Sequence, residues 1–120
     1  MSAHASLTPR DHGRDPVYPV GLTFDISFEQ FLVRLSILAA HALRFEIADG
    51  PYALTETVMV AVTTIRPLVF LVSWVEGSGA TVVHVQDFER LKVHSHATLR
   101  NGTFLRMAGP IRIVSGEVRR

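Results

Sequence analysis

Residues 81–104 read TVVHVQDFERLKVHSHATLRNGTF, and the way this stretch divides decides the fold. Val82, Val83 and Val85 surround His84 in a β-branched run, which predicts a strand. Asp87 begins a polar turn in which its side chain caps the backbone by an Asx-type bond. A second run, from Lys92 to Arg100, alternates polar and small or apolar residues with the period of two of a half-buried strand. Asn101-Gly102 then marks a hairpin, because both central positions of a type I′ turn need positive φ. A two-residue loop there sets Arg100 opposite Thr103, Thr98 opposite Leu105 and His96 opposite Met107. One face then carries His94, His96, Thr98, Arg100, Thr103, Leu105 and Met107. The other carries Val93, Ser95, Ala97, Leu99, Phe104, Arg106 and Ala108. The second face holds more small and apolar groups and the aromatic ring, so it is expected inside, with His94 and His96 outside.

Working outward, the same grammar repeats. GLTFDISF alternates Leu22, Phe24, Ile26 and Phe28 with polar residues. FLVRLSIL, HALRFEIAD, TETVMVAVTTI and LVFLVSWVE follow, separated by FEQF, by DGPY and by a break at Arg66-Pro67. Gly-Ser-Gly at 77–79 leads into the stretch quoted above, and TFLRMAGPIRIVS ends the series. The apolar residues from Phe28 to Leu38 also fit a helical stripe, but the flanking β-branched and aromatic residues favour strands. The total is about eight strands joined by short turns. Consecutive antiparallel strands leave sheet edges that closure removes. The fold expected is therefore all-β: a single up-and-down antiparallel β-barrel of about eight strands over residues 20–116, lipocalin- or calycin-like. Residues 1–19, polar and rich in proline, form a disordered or loosely packed arm on this reading, and residues 117–120 a tail.

Composition narrows the function classes. The chain has 120 residues, one domain's worth, and a net charge of +1, which gives no global field for nucleic acid. Basic and aromatic residues do not interleave as they do in single-strand binders. There is no cysteine, so thiolate metal sites and cysteine nucleophiles are excluded. Phosphate-loop and serine-nucleophile signatures are absent. The chain start has no apolar core of signal-peptide length and no apolar run reaches about 18 residues, so a cytoplasmic protein with no membrane partner is expected.

Four segments carry a family resemblance: GPYALTETV, IRPLVFLVSWVE, VVHVQDFE and NGTFLRMAG. In order and spacing they resemble the lipocalin-like domain of the molybdenum-cofactor biosynthesis protein F (MoaF) group, over roughly residues 20–115. The chain departs from the pattern after Glu89, where a turn glycine is expected and Arg-Leu-Lys stands instead. The resemblance implies a small calycin-type barrel with a cavity. It implies neither a settled reaction nor molybdenum chemistry.

The candidate residues follow from position. His94 and His96 have the i, i+2 spacing of two ligands on one strand, but outward placement argues against a metal site. His84, alone in an apolar strand, is either a hydrogen-bonded core residue or a cavity-lining acid/base group, a reading the resemblance strengthens. Trp74, the one tryptophan, is either core or a ring that stacks on a ligand. Glu56, Tyr52 and Arg44 are placed by the pattern near a barrel mouth, where a few polar groups orient a ligand. Glu76 is expected in solvent. The function expected is a small-molecule binding protein enclosing an apolar or aromatic metabolite, with no cofactor. The alternative is a cofactor-free lyase, isomerase or cyclase on the same barrel. VMVAV at 58–62 and LVFLVSWV at 68–75 are apolar on both faces, which together with a mean hydropathy of +0.25 predicts a homodimer, with Val60 outward.

Overall fold

The structure, a computed structural model, describes residues 17–118. Nine antiparallel strands run in chain order: β1 (Thr23–Ser27), β2 (Leu32–Ala39), β3 (Ala42–Ile47), β4 (Leu54–Met59), β5 (Ala61–Arg66), β6 (Val69–Val75), β7 (Thr81–Asp87), β8 (Lys92–Thr98) and β9 (Phe104–Ser115). No helix occurs among the described residues. The strands form one sheet in the order β4-β3-β2-β1-β9-β8-β7-β6-β5. Its two end strands, β4 and β5, are consecutive in the chain and separated only by Val60. The sheet therefore curls round so that its two edge strands come together at Val60, without pairing with each other. The expected eight strands become nine because the fourth changes partner in its middle. Residues up to Met59 pair with β3, and those from Ala61 pair with β6. Val60 itself is buried, so its side chain belongs to the core and not to the outer face.

The core is the inner face of this curl. Phe24, Leu35, Leu43, Phe70, Val72 and Val93 are among its fully buried side chains. Tyr18 joins them, packing edge-on against Phe70 at 5.3 Å. Tyr18, in the segment assigned to the arm, is thus part of the core, while its neighbour Val17 is exposed; residues 1–16 lie outside the described residues. First and last strands pair, β1 with β9. On their outer face Asp25 lies directly opposite Arg34 on one side and Arg112 on the other. Arg34 donates to both Asp25 oxygens, at 2.8 and 3.1 Å, and Arg112 donates at 2.7 Å. Hydrogen bonding from Arg34 holds the Asp25 carboxyl below the usual carboxylate range despite its burial. Gly109 permits the close approach of β9 to the end of β1, where a methyl group would overlap the Ser27 carbonyl.

The β8–β9 hairpin differs from the two-residue loop expected at Asn101-Gly102. Leu99 N donates to Thr103 O and Gly102 N to Leu99 O, each at 2.8 Å. Gly102 has φ 90, which makes Arg100, Asn101 and Gly102 a three-residue loop with a glycine bulge. The register becomes Ala97 opposite Leu105 and His96 opposite Arg106. A one-residue slip turns a strand over. Val93, Ser95 and Ala97 face inward as expected, but on β9 Leu105 and Met107 replace Phe104 and Arg106 inside.

Candidate functional site

The barrel opens where three connections gather: residues 51–53 leading into β4, residues 76–80 between β6 and β7, and the loop after Leu99. Beneath them lies a cavity of about 430 Å³ walled by Phe31, Phe45, Ile47, Tyr52, Leu105 and Met107, with Glu76, Ser78, Arg100 and Asn101 as its polar lining. A narrower space of about 50 Å³ shares Phe31, Phe45, Glu76 and Met107 with it and reaches Trp74, His84 and Ser95. Clefts that take small molecules have this character: mostly apolar walls with a few polar groups, at about 300–1,000 Å³.

Strand alternation points Val82, His84 and Gln86 of β7 into the barrel. Tyr18 donates its hydroxyl to Gln86 Oε1 at 2.8 Å, which fixes the Gln86 amide so that Nε2 faces His84 Nδ1 at 3.2 Å. Nδ1 then accepts, and the ring proton sits on Nε2. Burial pushes the His84 pKa down to about 3, so the imidazole is neutral. The same desolvation raises the Tyr18 hydroxyl. Trp74 meets His84 edge-on at 4.8 Å and stacks on Phe45 at 6.2 Å. Ser95 lies directly across from His84 on β8, is 1% exposed, and its Oγ meets no partner among the described residues. Glu76 is part-buried at the upper edge of this pocket. Burial raises its carboxyl; the Trp74 Nε1–H, 3.3 Å from Oε2, opposes that rise, and the nearby Glu56 charge adds to it.

The sequence profile of the MoaF-like family matches residues 20–112. The chain belongs to the MoaF-like family. A crystal structure of a protein from Burkholderia vietnamiensis, provisionally named a beta-lactamase, is similar to it. The two are 27% identical, with a TM-score of 0.75 over 79% of this chain and 94% of that one. Among curated proteins, none matches the chain.

In this MoaF-like barrel, three of the five residues singled out from the sequence reach the cavity. Trp74 and His84 line its deep end, and Tyr52 lines the mouth, 5.6 Å from the ring of Phe31. Arg44 does not reach it. It lies between Leu43 and Phe45, both of which point inward, so alternation sends it out to meet Glu46 at 3.6 Å. Glu56 is diverted to the seam of the barrel. Its Oε2 accepts from Gly77 N at 2.8 Å, tying β4 to the turn after β6 across the one place where the sheet changes partner. Glu76, expected in solvent, lines both parts of the cavity. His94 and His96 are exposed on the outer face. Ser95, Arg100 and Asn101 were not singled out; only the inward parity of Ser95 was visible in the sequence.

Proposed function

We propose that this MoaF-like protein binds a small apolar or aromatic molecule inside its barrel, and that it does so as a homodimer. One observation carries the reading: an apolar cavity of about 430 Å³ narrows onto a buried polar floor of His84 and Ser95. His84 does not favour the enzyme alternative, in which Glu76, whose carboxyl burial raises, would be the acid/base group. A general base works best with a pKa near the operating pH, and burial leaves His84 at about 3, too weak a base at neutral pH. The name of the Burkholderia relative does not carry over either. Serine beta-lactamases use a Ser-x-x-Lys pair, whereas the single lysine here, Lys92, follows Glu89 by three residues and lies exposed on β8.

The test is a titration with 1-aminoanthracene, an apolar fluorophore that brightens when enclosed. Saturable binding at one site per chain is expected, together with competition by any ligand that native mass spectrometry finds retained. Leu105→Trp, at the wall of the mouth, should remove the saturable phase. A linear, unsaturable response in the unmodified protein would sink the reading.

A further inference from the structure

The deep end of the cavity presents a donor pattern with a chemical meaning. Ser95 Oγ is buried, faces the narrow space and has no partner among the described residues. A hydroxyl in that state is destabilising unless something bonds to it. Its neighbour across the β7–β8 pairing is His84, and such directly opposed side chains have Cβ atoms about 5 Å apart. His84 spends Nδ1 on Gln86, which leaves Nε2–H as its remaining donor. Two neighbouring donors suit one acceptor atom with two lone pairs.

The charges around this space select further. No lysine or arginine lines it, and Glu76 is its one carboxylate. A ligand carboxylate there would meet no cation and one acidic group, a costly arrangement in an apolar setting. A volume of about 50 Å³ admits only a few non-hydrogen atoms, so the body of the ligand stays in the wider part against Phe31, Leu105 and Met107.

We propose that Ser95 Oγ and His84 Nε2–H form a head-group subsite for one uncharged carbonyl oxygen of an otherwise apolar ligand. The inference rests on the cavity-binding reading and specifies its ligand class as neutral aromatic or aliphatic ketones, aldehydes and their like.

A matched pair of probes tests it: acetophenone and α-methylstyrene, which have the same shape and differ in C=O against C=CH₂. The chain has three methionines, and Met107 lines both parts of the cavity while Met59 is exposed outside. In ¹³C-methyl methionine spectra of the full chain, both probes should move the Met107 signal and leave Met59 still. Ser95→Ala should weaken acetophenone by about tenfold, the worth of one good hydrogen bond, and leave α-methylstyrene unchanged. Alanine occupies the same inward parity two residues later, so the variant should fold, which the same spectrum verifies. The His84 Hε2 resonance should shift with acetophenone alone. If Ser95→Ala affects both probes equally or neither, the carbonyl subsite is overturned while cavity binding stands. If neither probe moves Met107, the cavity-binding reading itself fails.

Discussion

His84 shows how one residue couples burial, chemistry and stability. Its ring is neutral in the folded barrel, with burial holding its pKa at about 3, against roughly 6.5 for an exposed histidine. Between those values the unfolded chain binds a proton that the folded chain refuses. Folding stability therefore rises with pH across the window and is lost as pH falls from about 6.5, at a slope of up to about 1.4 kcal/mol per pH unit. Urea unfolding at pH 5.5, 6.5 and 7.5 should show this slope in the unmodified protein, above the range, below about pH 5, in which Asp25 contributes. His84→Asn should flatten it, and equal slopes in the two proteins would refute the assignment. At this scale the sequence was informative where a residue broke its local pattern. A lone imidazole among valines stood out, as did the one tryptophan. Ser95 did not, because a serine in an alternating strand is ordinary until its hydroxyl is seen to lack a partner. Arg44 and Glu56 lie away from the cavity lining; polarity near a turn does not say which way a side chain points.

Among the elements, strands were legible and registers were not. Seven of the nine strands sit where period-two alternation and β-branched runs put them. The break at Val60 leaves no trace in TETVMVAVTTI, which has neither glycine nor proline, because it is a change of partner and not a change of backbone type. The Asn-Gly signal located the last hairpin correctly but not its loop length, and one residue of slip exchanged the two faces of β9. The turn after β7 has a different explanation. The family pattern leads one to expect a glycine there, and Leu91 adopts the left-handed conformation, φ 55, in its place. A non-glycine residue in that region costs about 1–2 kcal/mol. Part of this is returned by the greater freedom of glycine in the unfolded chain. Leu91→Gly should accordingly raise stability by about 0.5–1 kcal/mol, seen as a Tm higher by a few degrees in calorimetry. An unchanged or lower Tm would show that the half-exposed leucine contributes packing worth more than the strain.

For the whole molecule, the question is what covers the outside of β5, β6 and β7. Alternation and register put Ala61, Thr63, Leu71, Ser73, Val75, Thr81, Val83 and Val85 on that surface, with no charged side chain among them. Val75 is 65% exposed and Val83 41%, and Phe104 extends the patch past β8 at 56%. β5 has a sheet partner on one side only. Charge on this face is confined to one end, at Arg66 and Asp87; the rest is a β-branched surface of the kind an aqueous sheet normally avoids by placing charge or a cover there. Apolar area removed from water contributes about 25 cal/mol per Å², and the entropy lost on association takes back a large part. A two-fold axis uses the same patch twice and closes the assembly, so a second copy of this chain is the occupant we propose. Val60, expected outward from the sequence, is the wrong place to test this, since it is 6% exposed and a charge there would disrupt the core. Val83→Lys puts the charge at the centre of the outer face. Light scattering at micromolar concentration should give twice 13.3 kDa for the unmodified chain and 13.3 kDa for Val83→Lys, with unchanged circular dichroism. A mass of 13.3 kDa before any substitution would show that this face meets water unaided.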